Sequence, residues 1–246
     1  MRSAFHTHFA PAFPSPWEDA RRFGRAGEIL ALLALLALPL TLAACQTAPS
    51  PALKAAAQVE IVQEPRWRSA ASAEDAARID GVHMAWDEAL AQARRRGFSR
   101  QVAAEGRLLE PNAALARPAP TPGNYMCRWI RFGSRGARAR AFTAFNPFFC
   151  HVGVSDDALS LTKQTGSDRP TGYLFDDNDP LRMIFLGSLA PGNAEPLAYG
   201  VDPARDMVGV FERIGPLRFR LVVPRPRSGS ILDVLELTPA PVQNSE

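Results

Sequence analysis

The sequence predicts an α+β protein: a short helical segment over residues 66–115, then an antiparallel, mainly up-and-down β-barrel-like domain over residues 116–246. Three observations predict it. Apolar residues recur at three- and four-residue steps between Ala76 and Ala93, which is helical spacing. From Asn124 onward the period changes toward two, in eight or nine short runs bounded by turn residues. The order of these runs along the chain is meander-like, which fits a barrel of about eight strands; a β-sandwich is the alternative. Barrels of that size enclose either packed side chains or one small ligand.

The elements follow in order. Residues 29–44 (ILALLALLALPLTLAA) are apolar and uncharged, with Arg21, Arg22 and Arg25 just before them. The run is short for a membrane span and Pro39 interrupts it. It ends in Leu42-Ala43-Ala44-Cys45, which resembles the bacterial lipobox. That resemblance implies a signal peptide over residues 1–44, cleavage before Cys45 and a lipid on the Cys45 thiol. The residue after Cys45 is Gln46 rather than Asp, which implies the outer membrane; three acyl chains exceed what stable attachment requires. Residues 45–65, rich in Ala and Pro and without periodicity, are expected to tether the folded part to the bilayer.

Within the helical segment, Ser72-Ala73-Glu74-Asp75 has the pattern of a capping box. Ile79, Val82, Trp86 and Leu90 carry the apolar stripe, Gly81 is a possible interruption, and Arg94-Arg95-Arg96-Gly97 reads as a cationic end and stop. Ser99 is placed to cap a second, shorter helix. Strands are expected over 124–132, 147–155, 158–164, 171–176, 181–189, 196–201, 207–214, 217–223 and 230–237. The clearest is 217–223: Leu217, Phe219, Leu221 and Val223 on one face, Arg218 and Arg220 on the other, as in a half-buried antiparallel strand. Leu181, Met183, Phe185 and Leu189 make a similar face around Gly187.

The chain has 28 Lys and Arg against 25 Asp and Glu, and removing the signal leaves it only slightly basic, so a nucleic-acid partner is not expected. Lys54 and Lys163 are its only lysines. After lipidation of Cys45, Cys127 and Cys150 remain, and in an oxidising compartment two thiols in one small domain favour a disulfide. Of the histidines, His83 and His151 lie beyond the signal, neither at metal-ligand spacing. No Gly-x-Ser-x-Gly is present, and no catalytic set, metal or cofactor is assigned. Ser134, in Gly133-Ser134-Arg135-Gly136, looks like a hairpin tip. Asp176-Asp177-Asn178-Asp179-Pro180 lacks the pattern of a calcium loop and suits a turn. Arg135, Arg138 and Arg140, and separately Arg225 and Arg227, read as solvated basic loops.

The stretch TGSDRPTGYLF, residues 165–175, has no Lys-Ser/Thr and no following helix, so it is not a phosphate loop. It reads as a strand-turn-strand passage at a barrel rim, Gly166 and Gly172 supplying permissive backbone. If the chain has a binding site, Ser167, Asp168 and Arg169 are its candidates.

The segments GRLLEPNAALARPAPTPGNYMCRWIRFG, KQTGSDRPTGYLFDD, RMIFLG, YGVDPARDMVGVFERIGPLRFRLVVPRP and LDVLELTP together resemble a family of exported proteobacterial proteins, known as a domain of unknown function, family 4893. The resemblance spans residues 67–239 and implies no activity, cofactor or catalytic residue. In outline the chain is also similar to calycin-like periplasmic inhibitors. The resulting expectation is a lipid-anchored envelope protein that binds a ligand or a protein without catalysis. An inhibitor of a protease or lysozyme, and a hydrolase using Ser167, Asp168 or His151, are the alternatives.

Overall fold

The computed structural model describes residues 63–136, 139–155 and 158–241. The signal peptide, Cys45 and the tether up to residue 62 lie outside the described residues, as does Arg138. Four short helices open the fold: α1 (Arg66–Ala70), α2 (Ala73–Asp80), α3 (Val82–Arg95) and α4 (Ser99–Ala104), followed by a 3-10 turn at Gly106–Leu109. Nine strands follow: β1 (Gly123–Phe132), β2 (Phe142–Ala144), β3 (Phe148–Ser155), β4 (Ala158–Lys163), β5 (Arg169–Asp176), β6 (Arg182–Ala190), β7 (Asp206–Gly215), β8 (Arg218–Pro224) and β9 (Leu232–Pro239).

The sheet runs β2-β1-β3-β4-β5-β6-β7-β8-β9, every neighbour antiparallel, and β9 pairs back onto β1 from Tyr125↔Pro239 to Phe132↔Leu232. The result is a closed eight-stranded up-and-down barrel with β2 as one extra strand. β2 and β3 pair with the same edge of β1, at Ile130–Phe132 and Gly123–Cys127 respectively. Pro147, which has no N–H to donate, sits in the gap between them.

Closure sorts side chains by strict alternation. Tyr125, Cys127, Leu174, Phe185, Phe211, Phe219, Leu221 and Leu235 fill the interior. Ile130, Phe132, Ile184, Leu186, Val210 and Val222 point outward, where the helices cover them with Trp67, Ile79, Trp86 and Leu108. β6 and β8 are therefore buried on both faces.

That corrects one expectation. Phe219, Leu221 and Val223 do face inward, but Arg220 on the opposite face is fully buried, and Leu217 lies in the β7–β8 turn at 61% exposure. Arg220 Nε donates to Glu212 Oε2 at 2.5 Å across the β7–β8 hairpin. Its other nitrogens donate to the carbonyls of Leu108 (3.0 Å), Glu110 (2.8 Å) and Pro111 (2.9 Å), and the guanidinium lies 4.9 Å from the Trp86 ring centroid. One planar fork thus ties the barrel wall to the helical layer. Burial pushes the Glu212 carboxyl up, and Arg220 opposes that push.

The helical segment forms as its sequence dictates, with one addition. Ser72 Oγ accepts from the Asp75 N–H at 3.2 Å. Asp75 does not return to the Ser72 N–H, as a capping box would require. Tyr199, from the β6–β7 loop, stands between: Ser72 N–H donates to its hydroxyl (2.9 Å), and the hydroxyl donates to Asp75 (2.6 Å). Gly81 separates α2 from α3, and Gly97, at φ 83°, ends α3 after Arg96. The cap of α4 is Phe98, with Ser99 its first helical residue. Buried Trp67 fixes α1 by donating from Nε1 to Asp177 Oδ1 at 2.9 Å, so the acidic run 176–180 is a turn that anchors a helix.

One strand expectation fails and one strand is additional. Residues 196–201 form no strand; Tyr199 serves the helix cap and Gly200 a turn. β2 was not anticipated, since three residues carry no readable period. Gly172 also has a different role from a turn residue. It pairs with Gly187 across β5–β6, and a Cβ on it would lie 2.4 Å from the Leu186 carbonyl oxygen and 2.5 Å from the Gly187 Cα. The Phe185 ring lies over both glycines and fills the barrel there.

Candidate functional site

Aromatic rings pack one end of the barrel interior. Tyr125 meets Phe219 edge-on at 6.1 Å, Phe211 stacks on Phe219 at 5.8 Å, and the Tyr125 hydroxyl donates to the Thr121 carbonyl at 2.6 Å. The disulfide Cys127–Cys150 joins β1 to β3 within the interior, with both cysteines fully buried and Cα atoms 5.9 Å apart.

The other end opens into a cavity of about 590 Å³. Its apolar surface comes from inward positions near the ends of several strands: Trp129, Phe148, Leu189, Met207 and Val223, with Phe145 and Pro191 beside them. The β4–β5, β6–β7 and β8–β9 loops supply Ser167, Asp168, Ala204, Arg205, Arg227 and Ser228. Asp168 and Arg225, both non-glycine residues with positive φ (52° and 47°), sit in two of these loops, conformations that surrounding contacts must hold in place.

The polar groups of the lining fall into two sets. Asp233 is closed off: it accepts from Ser228 (3.0 Å) and from Ser230, with Arg131 Nε at 3.6 Å. Burial pushes its carboxyl upward, and these neighbours oppose the push. Asp206 accepts from the Gly200 N–H at 2.9 Å. The cations are differently placed. Arg205 donates to the carbonyls of Leu189 (3.0 Å) and Glu195 (2.7 Å), and Arg227 to that of Pro203. Lys163, on the inner face of β4, donates to the Ser167 carbonyl at 2.6 Å and lies 4.2 Å from the Phe148 ring centroid. Burial holds its ammonium pKa below the usual value.

Of the sequence candidates, Ser167 and Asp168 lie on the cavity lip. Arg169 does not line it: its guanidinium donates to the carbonyls of Gly192 and Ala194 (2.7 Å for Ala194), clamping the β6–β7 loop to β5. His151 is on the outer face of β3, at 2.9 Å from Asn124 Oδ1, so the barrel wall separates it from Ser167 and Asp168. Ser134 is buried in the β1–β2 connection, where the Gln92 amide brackets its backbone N–H (2.6 Å) and carbonyl (2.8 Å). Arg225 pairs with Glu88 at 2.7 Å. Among the described residues no group of three or more His, Cys, Asp or Glu is placed to hold a metal. Trp129, Arg131 and Met207 carry no sequence signal beyond their inward parity, which acquires meaning once the barrel closes; Lys163 is conceivable from the sequence only as a Ser/Lys pair with Ser167, and the structure sets its ammonium on the Ser167 carbonyl instead of the hydroxyl.

These features define a class: a closed eight-stranded up-and-down barrel, helices on one side, with a cavity at one end. The chain belongs to the family described as a domain of unknown function, DUF4893, whose model matches residues 67–237. No curated protein and no solved structure matches it.

Proposed function

We propose that this chain is a lipid-anchored protein of the cell envelope whose barrel binds one small, largely apolar molecule without transforming it. The cavity carries the reading. Its volume falls within the range of small-molecule sites, its exposed surface is more apolar than polar although charged side chains converge on it, and the strands that shape it are fixed by barrel closure. A protein-binding role needs no such void. The lipobox-like end at Cys45 supports the anchor, which would hold the barrel at a membrane surface, where amphiphiles concentrate.

The test is thermal unfolding of the full chain in the presence of laurate, methyl laurate and unrelated polar metabolites. A ligand at a hundred times its Kd stabilises the native state by about 2.7 kcal/mol, which for a domain of this size raises Tm by about 5–10 °C. A shift with an acyl compound and none with polar metabolites supports the proposal. No shift with any apolar compound refutes it.

A further inference from the structure

We infer that the cavity takes an amphiphile with a single carboxylate head, and that the Lys163 ammonium receives that carboxylate; the inference rests on the small-ligand reading above. In this chain nearly every cation is an arginine, and Lys163 is one of only two lysines. It projects inward from the last residue of β4 and is 9% exposed. Its ammonium has three donors and no acceptor. The Ser167 carbonyl at 2.6 Å and, more weakly, the Asp168 carbonyl at 3.4 Å take two of them. Among the described residues no carboxylate lies within ion-pair distance of Nζ. A buried ammonium with only neutral partners is unfavourable, and an incoming anion relieves that cost.

The surrounding charges select the anion. The lining holds the cations Arg131, Lys163, Arg205 and Arg227, with Arg78 already paired to Asp75, against the carboxylates of Asp168, Asp206 and Asp233. The excess favours an anion over a cation. Asp233 is already occupied by Ser228, Ser230 and Arg131, and Asp206 by the Gly200 N–H; Asp168 offsets the Lys163 charge through space, but its carbonyl rather than its carboxylate takes the hydrogen bond. After the two carbonyls, the Lys163 ammonium has one donor left, which suits the single charge of a carboxylate. Trp129, Phe148, Met207 and Val223 offer the acyl chain an apolar wall. Arg78 borders the lining with its guanidinium paired to Asp75, its Nε alone being buried without a hydrogen-bond partner.

The experiment is isothermal titration of laurate, methyl laurate and dodecyl phosphate into the full chain, wild type and Lys163→Met, with all ligands kept below micelle formation. A charge-assisted hydrogen bond predicts that wild type prefers laurate over methyl laurate by about ten-fold or more. Lys163→Met erases that preference and leaves methyl laurate within about two-fold. If wild type binds acid and ester equally, or if the variant keeps the preference, the head-group assignment is overturned while the small-ligand reading stands. Tighter binding of dodecyl phosphate than of laurate overturns the carboxylate class. Binding of none of the three overturns both readings. Should Lys163→Met fail to fold, the acid-to-ester ratio in wild type decides alone.

Discussion

Arg220→Met removes the guanidinium that links the barrel to its helical layer while keeping similar volume. Glu212 then stays buried without its partner, and the carbonyls of Leu108, Glu110 and Pro111 lose their donor. Breaking a buried ion pair from one side costs about 3–5 kcal/mol, and orphaned carbonyls add about 1–3 kcal/mol each where water does not replace the donor. A loss of about 5 kcal/mol is therefore expected, a large share of the roughly 5–15 kcal/mol that typically holds a domain together. Urea unfolding followed by circular dichroism measures it. The pH dependence carries a sign. Burial raises the Glu212 pKa in the folded state, and losing Arg220 raises it further. Such a group's stability is present below its unfolded pKa of about 4.3 and is lost as pH rises through the folded value. The variant's deficit should thus be larger at pH 8 than at pH 5. Adding Glu212→Gln removes the stranded charge and should restore about 2–3 kcal/mol at neutral pH. A single-variant loss under about 1 kcal/mol, or a deficit that does not change with pH, refutes the role given to Arg220.

Three further outcomes are expected. Gly172→Ala forces a Cβ to within 2.4 Å of the Leu186 carbonyl oxygen and should destabilise the barrel by about 3 kcal/mol, read as a lower urea midpoint; an unchanged midpoint contradicts the close β5–β6 approach. Replacing Cys127 and Cys150 together by serine should cost about 3.5 kcal/mol for a bridge spanning 23 residues, and denatured, unreduced wild type should leave both thiols unlabelled by maleimide. Cys45→Ser should abolish palmitate incorporation and membrane attachment in intact cells; unchanged membrane association would count against the anchor.

Much of the barrel was legible because its determinant is local. Alternation at Met183-Phe185 and Phe219-Leu221-Val223 marks the inner face whether or not the partner strands are known. The outer face was misread because polarity alone does not reveal what covers it. Arg220 has the pattern of a solvated residue; its pairing with Glu212 and its hydrogen bonds to carbonyls in and after the 3-10 turn depend on contacts from elsewhere in the chain. β2 and the span 196–201 mark the other limit. Three residues are too few to show a period, and Pro196-Leu197-Ala198-Tyr199 resembles a strand although Tyr199 is committed to the cap of α2. The site was half legible. Turn chemistry pointed to residues 165–169, and Ser167 and Asp168 do border the cavity. Lys163, two residues upstream of that stretch, gave no motif; its place follows from the inward parity of β4 and from closure of β1 onto β9.

The central claim is that the open end of the barrel holds a small apolar ligand. Its most direct test is calorimetric titration of laurate into the full chain beside a Met207→Trp variant, whose larger indole would narrow the apolar wall of the cavity, with retained folding checked by thermal melt. The account predicts one laurate bound per wild-type chain and weaker binding by the folded variant; equal binding by both, or none by wild type, would contradict it.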